Sequence, residues 1–113
     1  MDRSAWLMPE DRALVCAVYR DGLTAAEVAK LRGEPARHVR RRLRRLVLRV
    51  LSKRYEFVMR RREQWPPTRR RVATVCVLQG RTMRETASHL RLSLHTVRGQ
   101  MAAVAALEEA QAA

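Results

Sequence analysis

Seven arginines fall between Pro35 and Val50 without one acidic residue among them: Arg37, Arg40, Arg41, Arg42, Arg44, Arg45 and Arg49. Guanidinium groups this dense repel each other and need a counter-charge, and their planar donor forks match phosphate oxygens and guanine edges. The aliphatic residues between them set the geometry. With Val39, Leu43 and Leu46 turned inward on a helix, Arg37, Arg40, Arg41 and Arg44 recur at i, i+3, i+4 and i+7 on the opposite face. Arg42, Arg45 and Arg49 form a flank that can reach phosphates. The chemistry expected of such a face is binding to a polyanion. An ordinary solvated basic face and an arginine-rich RNA-binding helix stand as its alternatives.

A second stretch shows what would position such a helix. From Gly80 to Met101 the chain reads as a short helix, a tight turn and another helix. Thr82 and Glu85 have capping-box spacing, so each satisfies an amide of the other's backbone. Ala87 is small where a crossing helix needs close approach, Leu90 and Leu92 flank the turn, and Ser93 starts the next helix. Val97 and Met101 then share one face, leaving His95, Arg98, Gly99 and Ala102 outside. This is the pattern of a helix-turn-helix, whose second helix enters the DNA major groove. Ser93, His95, Arg98 and Gln100 are candidates for base contacts there, with Arg84 and Arg91 on phosphates. The near-neutral outer face is equally suited to contacting a protein.

The same unit is written twice. At an ungapped offset of 58, residues 12–47 match 70–105 at Arg12, Gly22, Thr24, Glu27, Ala29, Val39 and Arg40. Gly22, Thr24, Glu27 and Ala29 lie in the capped turn and second helix, where particular residue types are physically required. Leu14 pairs with Val72, Val18 with Cys76, Leu43 with Met101 and Leu46 with Val104, so the apolar positions correspond as well. The first copy differs in its turn: Gly33-Glu34-Pro35, with Pro35 opening the third helix in place of a capping Ser and Leu31 expected to plug the core. No strong stop follows until Trp65-Pro66-Pro67. The segment from 35 to 63 therefore reads as one long helix of about 28 residues, or as a helix that bends near Ser52. Pro66-Pro67 then breaks it, Thr68 is the candidate cap of the next helix, and the last helix is expected from Leu94 to about Glu109.

The run Glu85-Thr86-Ala87-Ser88-His89-Leu90-Arg91-Leu92-Ser93-Leu94-His95-Thr96-Val97 resembles domain 4 of bacterial sigma factors, and is similar to the output domain of LuxR-type response regulators. The resemblance spans about 40 residues, 70 to 107. Thr86 stands where Ile is usual, and Arg91 at a turn position often held by Gly. It implies promoter DNA as a ligand, and contact with RNA polymerase in the sigma-like version. The region that melts the promoter and the receiver domain of a response regulator have no counterpart in these residues.

Composition agrees with that class. The chain has 113 residues, 47% hydrophobic with five aromatics, and a formal net charge of +13 from 22 Arg and 2 Lys against 11 acids. Residues 1–66 hold 17 basic and 8 acidic residues, and residues 67–113 hold 7 and 3. Cys16 and Cys76 sit in apolar helical patterns and read as buried free thiols. His38, His89 and His95 lack partners at metal-ligand spacing, and no phosphate loop, paired acids or nucleophile elbow occurs. No apolar run is long enough to cross a membrane. The expectation is an all-α protein of about six helices in two tandem trihelical helix-turn-helix units, 9–63 and 67–110, joined by a long basic helix and a Pro-Pro linker. It would bind double-stranded DNA in the bacterial cytoplasm, on the nucleoid, as a transcriptional regulator with neither catalysis nor cofactor. RNA polymerase, another regulator and a second copy of the chain are its open partners, and a helical protein-binding adaptor is the alternative from another class.

Overall fold

The computed structural model describes residues Arg3 to Ala112, and these are entirely helical apart from turns. A 3-10 turn, Arg3–Trp6, precedes α1 (Pro9–Tyr19), α2 (Ala25–Arg32) and α3 (Ala36–Val50). Then come α4 (Lys53–Arg61), a second 3-10 turn, α5 (Pro67–Ala73), a wide π turn over Thr74–Leu78, α6 (Met83–Leu90) and α7 (Leu94–Ala112). The chain divides into two compact units, with the boundary between Leu51 and Ser52.

In the first unit, α2 and α3 pack against each other and both touch α1. Leu14, Val28, Ala29, Val39 and Leu46 form the core, with Val15, Val18, Leu23 and Leu43 packed around it. Leu7 also turns inward and is buried. Each fully buried Val or Leu side chain among them contributes about 1.5–3 kcal/mol by leaving water. The second unit is closed by α4, α5, α6 and α7, with Tyr55, Val58, Val72, Leu78, Thr86, Val97 and Val104 wholly buried. Trp65 packs there on Phe57, ring centroids 5.7 Å apart.

The backbone hydrogen bonds repeat at the 58-residue offset. Arg12 N–H donates to Met8 C=O, and Arg70 N–H to Pro66 C=O. Asp21 donates to Cys16 and Gln79 to Thr74; Leu23 to Ala17 and Arg81 to Val75; Glu34 to Ala29 and Leu92 to Ala87. Both capping boxes are closed. Glu27 N–H reaches Thr24 Oγ1 at 3.1 Å and Thr24 N–H reaches Glu27 Oε1 at 3.1 Å. At Thr82 and Glu85 the corresponding distances are 3.1 and 3.0 Å. The turns after α2 and α6 share a left-handed residue: Gly33 at φ 68° and, 58 positions on, Arg91 at φ 56°.

Several expectations change. Of the two expectations for residues 35–63, the single long basic helix is absent and the interruption near Ser52 is what forms: α3 stops at Val50 and Ser52 caps α4 by accepting a 3.1 Å hydrogen bond from Tyr55 N–H. Had the inward line Val39–Leu43–Leu46–Val50 continued, Lys53 or Arg54 would have come next on it. Breaking the helix lets Tyr55, Phe57, Val58 and Met59 face inward instead. The residues beyond Ser52 therefore belong to the second unit, and Pro66-Pro67 opens α5 inside that unit instead of linking two others. Thr68 is not a cap: Pro66 is the capping residue and Pro67 the first helical one, where a missing N–H costs nothing. Leu31 does not plug the first core but is 77% exposed. At 100° per residue, Ala25, Val28 and Ala29 share the inward face, and Leu31 falls well outside it. Thr86, where the resemblance has Ile, is fully buried, its hydroxyl donating to Thr82 C=O at 2.8 Å. The final helix continues to Ala112.

Candidate nucleic-acid interface

The outward side of α3 is where the sequence places cations. Around the helix axis Arg37, Arg41 and Arg44 lie nearly opposite Val39, Leu43 and Leu46, and Arg40 and Arg45 lie to either side. All five are exposed. Leu48 continues the same outward line and is also exposed.

Arg42 and Arg49 behave differently. Seven residues apart, they share one angular position closer to the core than to the outer pole. There they meet the first turn of α1. Arg42 lies 3.4 Å from Asp11 and 3.8 Å from Glu10, and Arg49 lies 4.0 Å from the other oxygen of Asp11. These two arginines are thus not a free phosphate-reaching flank, as the sequence alone suggested. Glu10 and Asp11, besides sitting favourably at a helix N-terminus, supply part of the counter-charge missing from α3. Asp11, His38, Arg41, Arg42, Arg45 and Arg49 together line an open cleft of about 350 Å³.

The second unit distributes charge in another way. His95, Arg98, Gly99 and Ala102 are exposed on α7, and an added Cβ at Gly99 would meet nothing within 4 Å. Two of the expected base-contacting groups are occupied internally. Ser93 Oγ accepts from Thr96 N–H at 3.0 Å as the cap of α7, and it shares a 2.8 Å hydrogen bond with the Thr96 hydroxyl. Gln100 Oε1 accepts from Arg69 Nε of α5 at 3.1 Å. The exposed cations are spread over four helices and one turn: Lys53, Arg54 and Arg60 on α4, Arg71 on α5, Arg98 on α7, and Arg84 and Arg91 on α6 and its turn, next to exposed Ser88 and His89. The counterparts of Arg84, Arg91, Ser88 and His89 in the first unit are Ala26, Gly33, Lys30 and Leu31, whereas Arg37, Arg40, Arg41 and Arg44 correspond to His95, Arg98, Gly99 and Ala102. Within the paired helices, α3 therefore bears five exposed arginines, whereas α6 and α7 bear one each, Arg84 and Arg98, with Arg91 in the turn between them. Divided at Ser52, the halves hold twelve basic residues each, against six and five acids, so the charge difference read from the sequence about a boundary at 66 disappears.

Glu85, although exposed, is held below the usual carboxylate range by the backbone and side-chain hydrogen bonds of Thr82. Cys76 is pushed up by burial, with a hydrogen bond to Thr86 opposing, and both cysteines are free thiols. Among the described residues no three His, Cys, Asp or Glu side chains are grouped to hold a metal ion. No described helix is long and apolar enough to cross a membrane. No known protein family, curated protein or solved structure matches this chain.

Proposed function

We propose that this protein binds double-stranded DNA and regulates transcription, with α2–α3 and α6–α7 acting as two helix-turn-helix elements. The observation that carries the proposal is the solvent face of α3. Five arginines stand exposed there, opposite a fully aliphatic inward line, with no acid on the helix. In the major groove, Arg37, Arg41 and Arg44 would meet base edges and phosphates, while Arg40 and Arg45 reach the two backbones. In the second unit Arg84 and Arg91 would hold phosphate, and His95 and Arg98 are the groups left to read bases. Ser93 and Gln100 would act by fixing α7 instead of touching the duplex.

The smooth, weakly charged outer face of α7 favours a second use. His95, Gly99 and Ala102 present little charge and little bulk. That surface suits a protein partner, such as RNA polymerase or another regulator, while the first unit holds DNA.

Fluorescence anisotropy with a labelled random duplex, titrated with salt, tests the main proposal. Five phosphate contacts from α3 alone give a slope of log K against log salt near about −4.5, or a loss of roughly 500-fold between 50 and 200 mM, and Arg84 and Arg91 steepen it to about −6.3. No binding at the low-salt end would overturn DNA as the ligand and favour the protein-binding adaptor. A parallel titration with duplex RNA separates the two nucleic acids.

A further inference from the structure

The contact between Asp11 and Arg42 has a counterpart 58 residues on. Position 11 corresponds to Arg69 and position 42 to Gln100, and these too are joined, at 3.1 Å. Both units therefore tie the helix that precedes the helix-turn-helix pair to the last helix of the pair, α1 to α3 and α5 to α7, by one polar contact at the same place. The chemistry differs. In the second unit the tie joins a guanidinium to a neutral amide. In the first it joins a guanidinium to a carboxylate, which also lies 4.0 Å from Arg49. A neutral amide oxygen at position 11 could accept the same hydrogen bond, so the bracing alone does not require a charge there.

We propose that the charge of Asp11 is an internal rival of phosphate: it keeps Arg42 out of the set of arginines that neutralise a bound polyanion. The inference rests on the reading of α3 as a duplex-binding helix. Its physical basis is position. The Asp11 carboxylate is only 18% exposed and Arg42 is 39% exposed, so their attraction is less screened than that of a surface pair. Arg42 borders the same cleft as Arg41 and Arg45, whose guanidiniums face solvent. An arginine paired with a carboxylate neutralises no phosphate and so displaces none of the cations condensed on the polyanion, and it is the release of those cations that drives binding. Glu10, 3.8 Å from Arg42 and largely exposed, adds a weaker pull of the same sign. Asp11 is thus a positioning residue that limits affinity for the duplex.

Asp11→Asn separates bracing from charge, because the amide keeps an oxygen for Arg42. Asp21→Asn is the control: it also adds one unit of net charge, but at an acid paired with exposed Arg20. In a salt titration on random duplex, Asp11→Asn should bind more tightly and steepen the slope by about 1. Asp21→Asn should leave the slope as in the wild type. Arg42→Gln, which recreates the residue found at position 100, should barely alter the wild-type slope, whereas Arg45→Gln should flatten it by about 1. Equal slopes for the two Asn variants, or a loss at Arg42→Gln as large as at Arg45→Gln, would overturn the proposal. Elution from immobilised heparin gives a readout independent of DNA. If the wild type ignores the duplex, the functional reading fails, yet later elution of Asp11→Asn than of Asp21→Asn would still uphold the rivalry, and co-elution would end it.

Discussion

Arg91→Gly should raise the stability of the second unit while lowering its affinity for DNA. Arg91 occupies the left-handed region at φ 56°, ψ 44°, where Cβ crowds the following carbonyl at a cost of roughly 1–2 kcal/mol. Glycine removes that crowding but loses more backbone freedom on folding, which returns about 0.5–1 kcal/mol. The net gain is about 0.5–1 kcal/mol, or roughly 2–8 °C in Tm for a unit of this size. Trp65 lies in the second unit and Trp6 in the first, so a Trp6→Phe background leaves Trp65 as the reporter of this transition during thermal or urea unfolding. Arg91→Ala is the control, since alanine suffers the same crowding: it should lose the guanidinium without gaining stability. Both variants should flatten the salt slope of duplex binding by about 0.9. The reverse change, Gly33→Arg, meets no neighbour within 4 Å of its new Cβ, so backbone strain alone should destabilise the first unit by about 0.5–1 kcal/mol. If Arg91→Gly is no more stable than Arg91→Ala, the strain attributed to this turn is absent.

Replacing Arg40, Arg41 and Arg44 together by Ala should flatten the salt slope of duplex binding by about 2.7 without lowering the helix content seen by circular dichroism; an unchanged slope would remove α3 from the interface. Glu85 has a depressed pKa in the folded chain, so the stability it contributes is present above its unfolded value and is lost as pH falls through the folded one. Urea midpoints followed through Trp65 should therefore drop less on acidification in Glu85→Gln than in the wild type, and an identical drop would refute the link. Ser52→Ala should cost the second unit about 1 kcal/mol in the same assay, because Tyr55 N–H loses its acceptor; no change in midpoint would mean that Ser52 does not set the start of α4.

What could be read from the sequence was local. Thr24–Glu27 and Thr82–Glu85 announce their capping boxes because both partners lie within one turn of helix, and the structure closes both. The inward lines through Val39 and Val97 follow from periodicity alone. The end of α3 was harder to see. Arg49-Val50-Leu51-Ser52-Lys53 contains neither Gly nor Pro, and the break is decided by which side chains reach a core 20 or more residues away in the chain. Leu31 misled because it was matched to a family position by residue type, while helical angle assigned that side to solvent. The exposed arginine face of α3 was legible as a stripe, but the partners of its flank were not. Nothing in the spacing of Arg42 and Arg49 reveals that Asp11, 31 residues earlier, waits beside them. Gln100 and Ser93 likewise looked available because their partners, Arg69 and Thr96, are fixed by packing and capping that residue type does not declare.

The recurrence of one backbone hydrogen-bond pattern at a constant spacing has a consequence for how such a protein can diversify. The pattern tolerates glycine or arginine in its turn, valine or threonine under its second helix, and a carboxylate or a guanidinium at the start of its brace. Because the frame is held by main-chain groups and a few aliphatic positions, the outer residues of either half can be rewritten without renegotiating its shape. A doubled frame of this kind lets one half keep an inherited task while its twin drifts toward another.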